Sequence, residues 1–182
     1  MKKIELLAPA GDEEALKAAI MAGANAVYMG GSRFGARAFA GNFEDDKLID
    51  AVDYAHQMGV KIYITANTII KDEEIGDFLN YIDFLYEIGV DAVILQDLGM
   101  IDIISKRIPD LELHASTQMT ASTAQDVLFL KELGVSRVVL SRELSYDEIS
   151  AIKTETNVEV EAFVHGALCV SYSGKCLFSS MN

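Results

Sequence analysis

Long apolar runs are missing from this chain. No stretch approaches the roughly 18 consecutive apolar residues of a membrane-spanning helix, so no membrane partner is expected. Cysteine is scarce: two in 182 residues cannot build a disulfide framework, and a reducing cytoplasm is the expected compartment. Proline is as rare, with two residues. With no Ser-rich or Gly-rich tract either, no linker is visible and one domain is expected. Positive charge is short, 15 Lys and Arg against 28 Asp and Glu for a net charge of −13, which argues against broad, unaided nucleic-acid binding. The N-terminal stretch has two lysines but only a short apolar run before acidic residues, so it does not read as a signal peptide. What is present is ordinary for a folded domain: 51% hydrophobic and 24% charged residues, which excludes disorder as the main state.

One pattern recurs four times: a helix-ending Gly, a polar residue or two, and a β-rich apolar run. The copies begin at Gly23, Gly59, Gly89 and Gly134. Glycine is favoured just past a helix because it enters the left-handed region without a Cβ clash. The apolar runs resemble strands buried on both faces of a parallel sheet. Apolar residues at three- and four-residue spacing predict helices over Glu13–Met21, Asp45–Met58, Glu73–Ile88 and Thr123–Leu133. Further strands are predicted over Ile4–Ala8, Leu111–Ala115 and Val158–Val164. Seven strands and six helices in right-handed β-α-β succession predict a (β/α)8 TIM-type barrel, with a doubly wound sheet as the runner-up. A full barrel takes about 250 residues, so residues 1–182 are expected to be a single incomplete barrel domain, truncated after the seventh strand, at the N-terminal end of a longer protein.

Barrel chemistry gathers at the C-terminal ends of the strands. Those positions hold Arg33 and Arg37 around Phe34 and Gly35, then Asn67, Asp97, His114, Gln118, Arg142, Glu143, Glu161 and His165, followed by Cys169 and Cys176. The two arginines suit an anion clamp, since guanidinium pairs bidentately with carboxylate or phosphate. His114, His165, Glu143 and Glu161 suit proton transfer near neutral pH. Plainer roles stand beside these: Asp12, Asp45, Asn67 and Asp97 as helix N-caps, His56 as a surface residue, and the cysteines as buried thiols. Two thiolates complete neither a tetrahedral zinc site nor a four-cysteine cluster. His-Glu-x-x-His, Gly-x-Ser-x-Gly and Walker patterns are all absent. The residues by themselves leave the reaction open.

The segment from Glu161 through Phe163, His165, Gly166, Cys169, Tyr172, Ser173 and Gly174 to Cys176 resembles the signature of the collagenase-like peptidases, the unknown-catalytic-type peptidase family 32. Similar stretches run along the chain: Glu5–Gly11, Gly23–Tyr28, Leu113–Gln118 and Val139–Leu144. Some members of that family are described as collagen-degrading proteases. Others act in oxygen-independent hydroxylation of an rRNA cytidine, a tRNA wobble uridine or the ubiquinone ring, using a four-cysteine iron–sulfur cluster. The RNA-modifying members draw on prephenate. The resemblance, closest to the rRNA branch through the Gly30–Arg37 loop, implies an RNA-base hydroxylase. In it Cys169 and Cys176 are two ligands of a 4Fe-4S cluster that only the full-length protein completes, and this chain alone is expected to hold none. His165, His114, Glu143 and Glu161 become catalytic candidates. Arg33, Arg37, Asn67, Asp97, Gln118 and Arg142 become candidates for holding RNA or prephenate. The alternatives are proteolysis, with Cys169 and His165 as a Cys–His pair acting on a protein or peptide, or a non-catalytic subunit of a hetero-oligomer, joined through an open barrel edge.

Overall fold

The computed structural model describes residues 4–36, 41–166 and 169–176, and the chain divides into two compact units, Met1–Val93 and Ile94–Asn182. The first contains β1 (Leu7–Pro9), α1 (Glu13–Met21), β2 (Ala26–Gly30), α2 (Asp45–Gln57), β3 (Lys61–Thr65), a 3-10 turn over Asp72–Glu74 and α3 (Ile75–Glu87). β4 (Ala92–Leu95) runs across the division. The second contains α4 (Leu98–Arg107), β5 (Glu112–Ala115), a 3-10 turn over Thr117–Met119, α5 (Ala124–Glu132), β6 (Arg137–Val139), α6 (Tyr146–Thr156) and β7 (Glu159–Glu161). The sheet order is β1 to β7 without a reversal. A doubly wound sheet reverses its strand order at a switch point, so the runner-up topology is ruled out.

The repeated glycines do what their positions predict. Gly23, Gly59, Gly89 and Gly134 have φ of 93°, 71°, 83° and 98°, closing α1, α2, α3 and α5. The other two helices stop by different chemistry. Asn157 takes the left-handed position after α6 with φ of 52°, and α4 ends at Arg107 with Ile108 as its cap, before Pro109, which has no N–H to continue a helix. At the starts, Asp12 accepts from the Ala15 N–H at 2.8 Å and Asp97 from the Met100 N–H at 3.0 Å, both N-caps. Thr123 with Asp126, and Ser145 with Glu148, form reciprocal capping boxes. Asp45 is not a cap. It is the first residue of α2, after Glu44, and its carboxylate faces Arg33 at 2.7 Å.

β1 and β7 fall short of their apolar runs by more than one residue. β1 begins at Leu7, not Ile4, because the Leu6 N–H is held by the Asn25 side chain at 2.9 Å and Ile4 stands 89% exposed. β7 ends at Glu161, and Val164, predicted to be strand, is 90% exposed. An apolar run is a strand only where a neighbour pairs with it.

Parallel pairing puts facing residues on the same side of the sheet. In the first unit Val27 faces Ile62 and Met29 faces Ile64. All four are buried, in a core shared with Leu16, Leu48, Val52, Phe78, Ile82 and Leu85. The opposite side carries Tyr28 facing Tyr63 and Ala26 facing Lys61. In the second unit Ala115 and Val138 face one another, and the core adds Ile101, Ile104, Leu113, Val127, Leu130 and Ile152. The other side of those strands is polar: His114 faces Arg137, Arg137 faces Glu159, and Val139 faces Glu161. Strands predicted to be apolar on both sides therefore carry a line of charged and imidazole groups on one.

A Cβ at Gly59 would meet nothing within 4 Å, whereas one at Gly134 would lie 2.7 Å from Ser105 Cβ. Gly59→Ala is expected to cost the left-handed penalty alone, about 1–2 kcal/mol, and Gly134→Ala measurably more. Urea unfolding of the two variants side by side checks the difference.

Candidate functional site

The chain after β6 enters a tight polar turn. Ser141, buried, accepts from the Ser122 hydroxyl at 2.8 Å and its N–H reaches the Ala121 carbonyl at 3.0 Å. This fixes the start of Arg142-Glu143. Both side chains then turn toward the segment after β7. The Arg142 Nη1 donates to the Cys169 carbonyl at 3.0 Å and its Nη2 to the Ser171 carbonyl at 2.7 Å. Its backbone N–H donates to Ser173 Oγ at 3.0 Å. Glu143 Oε1 accepts from the Ser173 N–H at 2.9 Å. From the turn after β5, the Thr120 hydroxyl donates to the Ser173 carbonyl at 3.0 Å.

The electrostatics follow from these bonds. Burial pushes the Glu143 carboxyl up. The Ser173 N–H, its own N–H, the Ser173 hydroxyl and the Arg142 charge outweigh that and hold it below the ordinary glutamate value. It is an ionised acceptor committed to Ser173. The Cys169 thiol is also held below its ordinary value, first by the Ser171 N–H, then by a hydrogen bond with Cys176, with the Ser171 hydroxyl and the Arg142 charge adding. Both cysteines are exposed and reduced. An open cavity of about 450 Å³ lies against Cys169, lined by Arg142, Glu143, Val170, Ser171 and Tyr172.

A second polar group lies on the sheet of the same unit. His114 is fully buried, with Nε2 3.5 Å from Glu112 Oε2. The mostly buried Arg137 guanidinium reaches Glu159 at 3.0 Å and Glu161 at 3.9 Å. His114 and Glu161, picked out as strand-end residues, thus flank a cation that sequence reasoning passed over. A charge inside the short run Arg137-Val138-Val139 was the signal available. Asp97 caps α4. Gln118 lies in the turn after β5, its N–H on Ser116 Oγ at 3.2 Å, and His165 is exposed.

In the first unit Arg33 pairs with Asp45 and its guanidinium lies 4.6 Å from the Tyr81 ring centroid. Burial, with the Asp45 charge, pushes the Tyr81 hydroxyl up to about 12. Asn67 Oδ1 accepts from the Ala36 N–H at 3.0 Å, an anchor for the glycine loop and not a helix cap. Arg37 lies outside the described residues.

A strand-helix succession with its polar turns at the C-terminal strand ends, one of them presenting two thiols, defines a (β/α)-type scaffold. Residues 11–182 match the sequence profile of Peptidase family U32, and the chain belongs to that family. It is 46% identical over 97% of its length to the 23S rRNA 5-hydroxycytidine C2501 synthase of Escherichia coli, covering 26% of that protein. It is 41% identical over 98% of its length to the tRNA hydroxylation protein P1 of Bacillus subtilis, covering 42%. The chain thus spans between about a quarter and less than half of these relatives. The structure of the U32 peptidase Mk0906 shares the fold, with a TM-score of 0.77 at 17% identity over 88% of this chain and 68% of that one. Among the described residues no helix is long and apolar enough to cross a membrane.

Ser173 lies inside the two-cysteine signature segment, but its contacts with Glu143 and Thr120 are visible only in three dimensions. Because the folded Glu143 carboxyl titrates below its unfolded value, its anchoring is complete above the ordinary glutamate value, 4.5, and is lost as pH falls through the lower folded value. Hydrogen exchange at the Ser173 amide is expected to show a protection factor that is level at neutral pH and drops on acidification. In Glu143→Gln it is expected to be lower and flat.

Proposed function

We propose that the protein of which this chain is part hydroxylates an RNA base, an rRNA cytidine or a tRNA uridine, without using molecular oxygen. The observation that carries this is the 46% identity over 97% of the chain to an rRNA hydroxycytidine synthase, a likeness that includes the two-thiol segment. The donor set fits an iron–sulfur cluster in part: Cys169 and Cys176, both exposed and reduced, supply two of four thiolates. The other two come from outside this chain, as does the strand that closes a (β/α)8 barrel. When bound, such a cluster supplies one-electron transfer.

This chain's own residues bind and orient. Tyr172 is 73% exposed beside the cavity and offers a ring face on which a base stacks. Arg142 spends its donors on the cysteine segment, so its part is to shape that segment more than to hold phosphate. The Arg33 loop remains a candidate for the anionic co-substrate, prephenate, with Asp45 as the partner to be displaced. His114 and Glu161, on either side of Arg137, are candidates for moving a proton. With a net charge of −13, the basic surface for RNA backbone comes from the rest of the protein.

Nucleosides from rRNA and tRNA of cells lacking the gene test the proposal by mass spectrometry. A cytidine or uridine species carrying one extra oxygen is expected to vanish on deletion, to return with the parent gene and to stay absent with Cys169→Ala. Unchanged nucleosides, together with gelatin cleavage that depends on Cys169, would replace this reading with proteolysis.

A further inference from the structure

Ser173 has an unusual environment for a serine in a loop. It is buried, and every polar group it owns is taken. Its N–H goes to Glu143 Oε1 at 2.9 Å and its carbonyl receives the Thr120 hydroxyl at 3.0 Å. Its hydroxyl accepts from the Arg142 backbone N–H at 3.0 Å and from Nε at 3.4 Å, and is 3.4 Å from Glu143 Oε1, to which it donates. The next residue, Gly174, has φ of 72°, and a Cβ there would run into the Thr120 hydroxyl and the Gln118 carbonyl. On the other side of Ser173, the Arg142 fork takes the carbonyls of Cys169 and Ser171. The stretch between the two cysteines is therefore held at both its beginning and its middle by groups from the ends of β5 and β6.

Nothing in that arrangement needs a metal. Short loops joining two metal ligands are normally ordered by the metal itself. Here the backbone between the thiols is held by two charge-assisted bonds from a planar guanidinium, the geometry that a lysine cannot reproduce.

We infer that Arg142, Glu143 and Ser173 form a pin that sets the spacing of Cys169 and Cys176 before any metal arrives, with Arg142 as the positioning residue for both thiols. The purpose of the spacing, receiving a cluster, rests on the proposed function; the pin itself does not. Arg142 acts through the Cys169 and Ser171 carbonyls, and Gly174 is the position that lets the segment approach the turn after β5.

The test uses the whole protein, metal-free and reduced, with a reagent pair. Monobromobimane labels single thiols and reports their exposure. Dibromobimane fluoresces on bridging two thiols and reports their spacing; the signal of the pair is the part that Cys169→Ala or Cys176→Ala removes. The parent is expected to bridge readily. Arg142→Gln, Arg142→Lys and Gly174→Ala are expected to bridge about tenfold more slowly with single-thiol labelling, corrected for the thiolate fraction, unchanged; the surface control Lys17→Gln is expected to match the parent. On reconstituted protein the same variants are expected to release iron to a chelator about tenfold faster, the usual scale for groups that orient metal ligands. A parent that does not bridge, Arg142→Gln and Gly174→Ala that bridge at the parent rate, or full recovery in Arg142→Lys would each overturn the pin. A parent that bridges normally but takes up no iron would overturn the cluster reading and leave the pin standing.

Discussion

In a parallel strand pair, facing residues lie on the same side of the sheet, and each strand must return through a crossover before the next can pair. Both consequences shape this chain. The return forces a helix after nearly every strand, and the amphipathic helices bury one side of the sheet: Val27, Met29, Ile62 and Ile64 in the first unit, Ala115 and Val138 in the second. The other side is left to groups such as His114, Arg137, Glu159 and Glu161. The same register brings the ends of β5, β6 and β7 level, so the turns after them meet around Ser173.

At those turns, polar groups hold other polar groups more than they wait for a ligand. Glu143 is an anchor for an N–H, kept ionised by the bonds it accepts. Arg142 is a fork on two carbonyls. A charged side chain removed from water needs compensating hydrogen bonds, and here the compensation also orders a loop. The exposed groups are the thiols, Tyr172 and His165. That division, with an ordered polar base beneath an exposed reactive edge, is what a site needs if its reactive groups are to keep their geometry while a large substrate comes and goes.

Much of the fold was legible because the chain repeats one local rule. A glycine that must turn left-handed, followed by a strand-length apolar run, is visible in sequence at Gly23, Gly59, Gly89 and Gly134, and each is left-handed in the structure. The misses come from non-local causes. The apolar runs at Ile4 and Val164 look like strand, yet no neighbour pairs there, and Asp45 looks like a cap until Arg33 is seen beside it. At the site, Cys169, Cys176, Arg142 and Glu143 were picked out by residue type and place along the chain, and the structure brings them together. Their roles were not legible, since the contacts that decide them, Glu143 with Ser173 and Thr120 with Ser173, join segments far apart in the chain. Arg137 was missed because a charge inside an apolar run reads as an interruption, when it is the centre of a buried ionic group.

The family's two reputations, peptidase and RNA hydroxylase, make different demands on the same thiols. A protease needs one activated nucleophile, whereas a four-cysteine cluster needs both thiols as ligands. The iron and sulfide content of the whole protein after anaerobic reconstitution, measured beside Cys169→Ala and Cys176→Ala, decides most directly between them. The account predicts a cluster in the parent and its loss in both variants. A parent free of iron, or variants that retain it undiminished, would contradict the account.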